Sequence, residues 1–121
     1  MIDHIGLAIS DLAKSQTFYS AALTPLGIDQ VMEFGDWVGF GKEHKPEFWF
    51  GVGREVQYPM HIAFVAESRE QVRRFYDAAI AAGGRDNGAP GIREEYHPNY
   101  YGAFVFDPDG HNIEAVCHTP E

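Results

Sequence analysis

The sequence has one cysteine, few basic residues and no long apolar run. Cys117 cannot form an internal disulfide, so we expect a reducing compartment, with the cytoplasm as the default location. Nine Lys and Arg against 18 Asp and Glu give a formal net charge of −9, which argues against nucleic acid because phosphate binding needs clustered cations. The apolar stretches are too short to span a membrane, and we expect no export signal, because residues 1–5 enter a strand pattern without a basic and then apolar run. The length predicts a single domain over residues 1–121.

The chain contains an internal repeat. A shift of 57 residues aligns residues 4–29 with residues 61–86, giving eight identities in 26 positions without a gap. His4 then meets His61, and Gly27 meets Gly84. Two unrelated helices can share alanines by chance, but they would not also share a His-Ile pair, a Phe-Tyr pair and a glycine at one shift. The pattern therefore predicts a duplication, with copies at residues 1–56 and 57–121.

Each copy carries the signals for a strand, a helix and three further strands. A period-two strand at residues 5–9 precedes a helix that Ser10 or Asp11 can cap. In the second copy, Ser68 and Gln71 form a capping-box pattern. The later strands are predicted at residues 30–34, 37–41 and 47–52 and at residues 92–96, 102–107 and 112–118, with a link at residues 54–59. The fold class is therefore α+β, with two tandem βαβββ modules.

Strand parity predicts a metal site. The bulky residues of the first strand of each copy must face the helix, so His4 and His61 point to the opposite, concave face of the sheet. Glu114 shares that face in the last strand, because it alternates with small and apolar residues, and Glu47 shares a face with Trp49 in the matching strand. Imidazole nitrogens and carboxylate oxygens suit one divalent ion: Zn, Ni, Mn, Co or Fe(II).

These residues also carry a family resemblance. It rests on the His-Ile-Gly-Leu opening at residues 4–7, the aligned His61 and the closing run Asp-Pro-Asp-Gly-His-Asn-Ile-Glu at residues 107–114. Over nearly the whole chain the sequence resembles the vicinal oxygen chelate superfamily, which includes glyoxalase I, fosfomycin-resistance proteins, extradiol dioxygenases and bleomycin-binding proteins. The resemblance implies two modules forming a cupped, half-open barrel around one metal ion. It also implies a homodimer with shared sites.

The resemblance implies a ligand set as well. By position His4, His61 and Glu114 match the family's metal ligands, and Glu47 lies near the fourth ligand position. Trp49 lies on the same face as Glu47 and competes for that position. A set of four protein ligands would resemble the metal site of glyoxalase I. A set of three ligands with open coordination positions would resemble the sites of dioxygenases and fosfomycin enzymes.

A loop dense in polar aromatic residues, at residues 93–101, has two interpretations. It is either a surface loop stiffened by Pro98 or a rim of the site. In the second case His97 acts as a proton donor, and Arg93, Tyr100 and Tyr101 bind the substrate. The histidines without a partner pattern are expected on the surface: His44, His111 and His118.

Two function classes follow from these patterns. The first is a metal-dependent enzyme acting on a small oxygen-rich substrate that chelates the metal. Lyase or isomerase chemistry, with Glu114 or Glu47 moving the proton, is favoured over ring-opening dioxygenation. The second class is a non-catalytic sequestering protein of the bleomycin-resistance type, with Trp37, Trp49 and the loop tyrosines around a cationic, planar ligand. The paired His and Glu residues favour the enzyme, with Trp49 contacting its substrate.

Overall fold

A computed structural model describes residues 1–57 and 60–121 as two copies of one βαβββ unit. The first copy consists of β1 (Ile5–Ala8), α1 (Leu12–Leu23), a short 3₁₀ helix (Thr24–Leu26), β2 (Asp29–Phe34), β3 (Trp37–Lys42) and β4 (Lys45–Gly51). The second consists of β5 (His61–Val65), α2 (Arg69–Ala81), β6 (Arg85–Ile92), β7 (Tyr101–Phe106) and β8 (Asn112–Cys117). The predicted α+β class and its tandem modules are confirmed. Tyr58 and Pro59, at the end of the predicted link, lie outside the described residues.

The two sheets have the same strand order. Sheet A runs β1-β4-β3-β2 and sheet B runs β5-β8-β7-β6. In each sheet the first and last strands of the module pair in parallel at one end, and the remaining pairs are antiparallel. The two sheets therefore repeat one topology, as the predicted tandem βαβββ modules require.

Side-chain caps begin both helices. The Asp11 carboxylate accepts a hydrogen bond from the backbone N–H of Lys14 at 3.0 Å, which satisfies one of the open donors of the first turn of α1. The Ser68 hydroxyl accepts from the N–H of Gln71 at 3.1 Å at the start of α2, and the Gln71 side chain accepts from the N–H of Glu67 at 2.8 Å. The caps predicted from the sequence are thus confirmed.

The helix sides of both sheets enclose one apolar core. Phe18 of α1, Phe75 of α2, Phe50 of β4 and Ile113 of β8 are all fully buried in it. The modules approach closely at Gly84, where a Cβ atom would lie 2.6 Å from the Phe18 ring. Because the core occupies the helix sides, the opposite faces of the two sheets are left for function.

A buried hydrogen bond joins the two modules. The Tyr19 hydroxyl of α1 donates to Asp107 at 2.6 Å, in the turn between β7 and β8. That carboxyl group also accepts from the backbone N–H groups of Asp109 and His111 at 2.9 and 2.8 Å. Burial raises the pKa of Asp107, and burial followed by the neighbouring Asp107 charge raises the pKa of Tyr19. The turn is therefore tied to a helix from the other copy.

We expect Tyr19→Phe to lower the free energy of unfolding by about 1–3 kcal/mol, because it leaves a buried carboxyl group short of one donor. The repeat-equivalent Tyr76 is the matched control, since its hydroxyl donates to the exposed Asp86 at 3.0 Å. Tyr76→Phe should cost less than about 1 kcal/mol. Urea unfolding of both variants measures the difference, and equal losses would contradict a special role for the Tyr19 bond.

Two sequence expectations are wrong. The strand expected at residues 92–96 does not form: β6 spans Arg85–Ile92, and a turn follows at residues 94–96. Pro90 and two glycines give this segment the sequence pattern of a loop. A strand can contain them here because β6 lies at the edge of sheet B and its register against β7 shifts along its length. His111, expected on the surface, is fully buried within the turn that Asp107 organises. In the described part of the chain, no helix has the length and apolar character required to cross a membrane.

Candidate functional site

A histidine and a buried carboxylate meet on the concave face of sheet B. In the parallel pair of β5 and β8, Ala63 lies opposite Glu114, so that His61 and Glu114 share the face away from α2. His61 Nε2 lies 2.9 Å from Glu114 Oε1. The Glu114 side chain is only 1% exposed, whereas the His61 side chain is 54% exposed. The pair therefore has one fixed member and one that solvent and ligands can reach.

Tyr100 forms a hydrogen bond with the second carboxylate oxygen of Glu114. Its hydroxyl donates to Oε2 in a short hydrogen bond. Burial, followed by this hydrogen bond, raises the pKa of Tyr100, so the phenol stays protonated and remains a donor at neutral pH. Gly102 leaves room for the contact, since a Cβ there would lie 3.3 Å from Oε2 and from the Tyr100 ring. Glu114 is thus oriented from one side by Tyr100 and from the other by His61.

A cation lies beside this pair. The Phe104 ring centroid is 6.3 Å from that of His61, and the Arg93 guanidinium carbon lies 5.3 Å from the Phe104 centroid. Arg93 also donates to the backbone carbonyl of Ala89 at 2.8 Å. The structure therefore brings Arg93 and Tyr100, two of the predicted substrate-binding residues, to the same face as Glu114.

His97 and Tyr101 have other partners. His97 Nε2 lies 2.7 Å from Nδ1 of His118, and the His97 ring packs edge-on against Tyr100 at 5.4 Å between centroids. The Tyr101 hydroxyl accepts from Arg73 of α2 at 3.3 Å. His97 is thus one ring away from Glu114, whereas Tyr101 lies on the helix side of sheet B and is not brought together with the other site residues.

Sheet A places tryptophan where sheet B places Glu114. Gly6 lies opposite Trp49 in the pair of β1 and β4, in the same way that Ala63 lies opposite Glu114. Glu47 precedes this position by two residues, and its 59% exposed side chain lies 4.0 Å from the ammonium group of Lys45. The module symmetry thus assigns Trp49, not Glu47, to the position equivalent to Glu114.

His4 opens into a cavity on the concave face of sheet A. Its Nδ1 lies 2.7 Å from an Asp3 carboxylate oxygen, and its side chain is 60% exposed. The cavity has a volume of about 610 Å³. Its lining includes aromatic, small and charged residues: His4, Gly6, Phe34, Trp37, Trp49 and Arg54. The sequence indicated Trp37 and Trp49, whereas Arg54 carried no sequence signal.

The candidate ligands of one chain lie on two separate sheets. Within residues 1–57 and 60–121, no three His, Cys, Asp or Glu side chains are grouped as a metal site. His61 and Glu114 form a pair on sheet B, and His4 stands apart from them on sheet A. The donor types fit a divalent ion, because a buried carboxylate with an adjacent imidazole is a common pair of ligands. Such a pair requires further ligands to complete coordination.

Sequence and structure comparisons point to one family. The model of the Glyoxalase/Bleomycin resistance protein/Dioxygenase superfamily matches residues 1–115. A glyoxalase/bleomycin resistance protein from Albidiferax ferrireducens T118 is 30% identical in sequence and has a TM-score of 0.81, with 95% of this chain and 97% of that chain covered. No curated protein matches the chain.

More distant structures share the fold. A glyoxalase/bleomycin resistance protein/dioxygenase family enzyme from Burkholderia phytofirmans PsJN is 17% identical, has a TM-score of 0.75 and aligns over 98% of both chains. A glyoxalase-related enzyme from Fulvimarina pelagi is 21% identical, has a TM-score of 0.73 and aligns over 97% of this chain and 87% of that one. Both cover nearly the full length, so the two-module architecture is common to all three proteins.

Proposed function

The chain belongs to the glyoxalase/bleomycin resistance/dioxygenase superfamily, and from this premise we propose that it is a divalent-metal-dependent enzyme. Its substrate is a small oxygen-rich molecule that offers two adjacent oxygens, and the reaction is that of a lyase or isomerase, with dioxygenation as the variant for Fe(II). The observation that supports this proposal most is the contact of His61 with the buried Glu114. A buried carboxylate is costly unless it is compensated by donors or cations.

The proposed ligands are His61, Glu114 and His4. The bound ion would supply Lewis-acid polarisation of the substrate oxygens. Glu114 is the proposed proton carrier: its Oε2 is held by Tyr100, which leaves Oε1 as the oxygen that faces His61 and the substrate. Arg93 is placed to bind a negatively charged part of the substrate beside Phe104.

The complete site is proposed to form between two copies of the chain. The concave face of sheet A in one copy, with His4, would meet the concave face of sheet B in the other, with His61 and Glu114. Both faces carry exposed apolar side chains: Phe34 lines the His4 cavity and is 80% exposed, and Val65 follows His61 on its face and is 66% exposed. Exposed apolar side chains beside incomplete sites are typical of surfaces that a partner covers.

Metal analysis of the protein purified without a histidine tag tests the proposal directly. We expect about one divalent ion per chain and its loss in His61→Ala, with the fold retained because the imidazole is more than half exposed. Circular dichroism and thermal unfolding check the fold. A folded wild-type protein that takes up none of Zn, Ni, Mn, Co or Fe(II) would remove the basis for the proposed enzyme.

The predicted role of His97 has its own test. We expect His97→Ala to leave metal affinity nearly unchanged and to weaken binding of acetohydroxamate, a two-oxygen chelator, by about tenfold, because it removes the ring that packs against Tyr100 and contacts His118 at the rim. The cobalt absorption spectrum of metal-loaded protein measures this binding. His44→Asn, in the turn between β3 and β4, is the control, since asparagine tolerates the positive φ found there. Unchanged binding would return the loop to the surface-loop interpretation.

The second candidate is a non-catalytic binding protein of the bleomycin-resistance type. The observation that favours it is the cavity beside His4, where both tryptophans of the chain lie. Such a protein needs no metal ion to bind its ligand. Ligand binding that is equal with and without metal, in a protein with no turnover, would favour this candidate over the enzyme.

A further inference from the structure

The cavity on sheet A has a floor of two indole rings supported by glycines. In the antiparallel pair of β3 and β4, Trp37 lies opposite Gly51 and Trp49 lies opposite Gly39. A Cβ at Gly51 would lie 2.3 Å from both Cγ and Cδ2 of Trp37, and one at Gly39 would lie 3.0 Å from both Cε2 and Cζ2 of Trp49. Equal distances to two bonded ring atoms indicate that each indole lies against the glycine backbone rather than touching it at a single atom. The glycines therefore let large aromatic surfaces lie low on the sheet.

A cation adjoins this aromatic floor. The Arg54 guanidinium carbon lies 5.7 Å from the centroid of the Trp37 ring. Among the described residues no carboxylate forms an ion pair with Arg54, although the chain carries an excess of acidic residues. Glu55 also lines the cavity, and His4 lies in it, at 60% side-chain exposure. Within residues 1–57 and 60–121 the Arg54 guanidinium has no hydrogen-bond partner either, so Arg54 is a cation beside an aromatic surface that can bind an anionic ligand.

From this arrangement we infer that the cavity binds a planar aromatic carboxylate, or another planar ring that carries an anionic group. The ring stacks on Trp49, and the anionic group is bound by Arg54 beside Trp37. This inference deepens the proposed function because it names the substrate class. It rests on that function in one respect: the ligand oxygens that chelate the metal would point toward His4. Stacking and charge recognition themselves need no metal.

The charge of the ligand separates this inference from the cationic ligand of a bleomycin-type protein. Of Arg54 and Glu55, the two charged residues of the lining, only Arg54 has a described contact with the aromatic floor, so a cation would be repelled there. A saturated ring would lose the face-to-face contact that an aromatic ring makes with indole. Burial of apolar surface alone predicts no advantage for an aromatic ring over a saturated ring of the same size. Three probes of matched size therefore distinguish the possibilities: benzoate, cyclohexanecarboxylate and benzylammonium.

The chain offers a local reporter, because Trp37 and Trp49 are its two tryptophans and both line the cavity. Titration of metal-free, full-length protein followed by tryptophan fluorescence should show benzoate binding about fivefold tighter than cyclohexanecarboxylate and benzylammonium, as stacking and one charged contact predict. Trp49→Leu should abolish the preference for benzoate over cyclohexanecarboxylate. Arg54→Gln, at an exposed position, should weaken benzoate about fivefold and remove the preference over benzylammonium.

Arg74→Gln is the control for the charge change, because Arg74 is exposed on α2, away from the concave faces of both sheets, and its loss should leave benzoate binding unchanged. If Trp49→Leu fails to fold, Arg54→Gln still decides the result. Equal binding of the three probes, tighter binding of benzylammonium, or no saturable fluorescence change would each overturn the inference. Metal uptake measured on the same preparation separates the two proposals. Metal binding without ring selectivity would support the proposed enzyme and contradict the aromatic-carboxylate inference. Ring selectivity without metal binding would support the inference and contradict the metal-dependent enzyme.

Discussion

Mixing His4→Ala protein with His61→Ala protein is expected to restore metal binding that neither variant has alone. In the proposed dimer each site takes His4 from one copy and His61 with Glu114 from the other. A mixed dimer then contains one intact site and one site that has lost both histidines. With random pairing, about half of the dimers are mixed, so total metal binding should return to about a quarter of the wild-type level.

The matched control is a mixture of His61→Ala and Glu114→Gln proteins. Both changes lie in the same half-site on sheet B, so every site in a mixed dimer carries one defect and no recovery is expected. The two variants of each mixture are unfolded and refolded together, and bound metal is measured at a free-ion concentration between the wild-type and variant dissociation constants. No recovery in the first mixture, with dimers verified by light scattering, would mean that the site is not shared in this way.

The sequence was sufficient to predict the α+β class and the side of each sheet on which its polar residues lie. Period-two alternation in β1, β5 and β8 is a local property, and burial of Leu7, Ile62 and Ile113 follows from it. The repeat also predicts that β1 and β5, which follow His4 and begin at His61, have equivalent places in the two sheets, and the strand orders agree. These predictions succeeded because each depends on neighbouring residues or on a self-comparison of the chain.

Predictions that depend on register or on long-range contacts were harder. The choice between Glu47 and Trp49 depends on which residue of β4 lies opposite Gly6, and no turn motif fixes that pairing in the sequence. The hydrogen bond from Tyr100 to Glu114 joins residues that β7 and the following turn separate along the sequence. Gly102 makes this contact possible because it has no side chain to fill the space. Strand β6 lies earlier in the chain than the sequence predicts, because Pro90 and the two glycines beside it resemble a loop, and an edge strand accommodates them.

The two candidate carboxylate ligands should differ strongly when each is replaced. We expect Glu114→Gln to weaken metal binding by about a hundredfold or more and Glu47→Gln to change it by about twofold at most. Glu114 is buried and held on both oxygens, by His61 and Tyr100, so the neutral amide removes both a ligand and its compensating charge. Glu47 is largely exposed beside Lys45, where solvent and salt screen its charge.

The same pair of variants reports on the fourth coordination position. If Trp49 occupies the position equivalent to Glu114, as the register indicates, sheet A contributes His4 alone, and the ion is left with three protein ligands and open positions for a substrate with two oxygens. Competition of wild-type and variant proteins against a chelator gives the dissociation constants, and thermal unfolding verifies that the Gln variants are folded. A loss in Glu47→Gln equal to that in Glu114→Gln would instead place Glu47 among the ligands and require β4 to shift by two residues against β1.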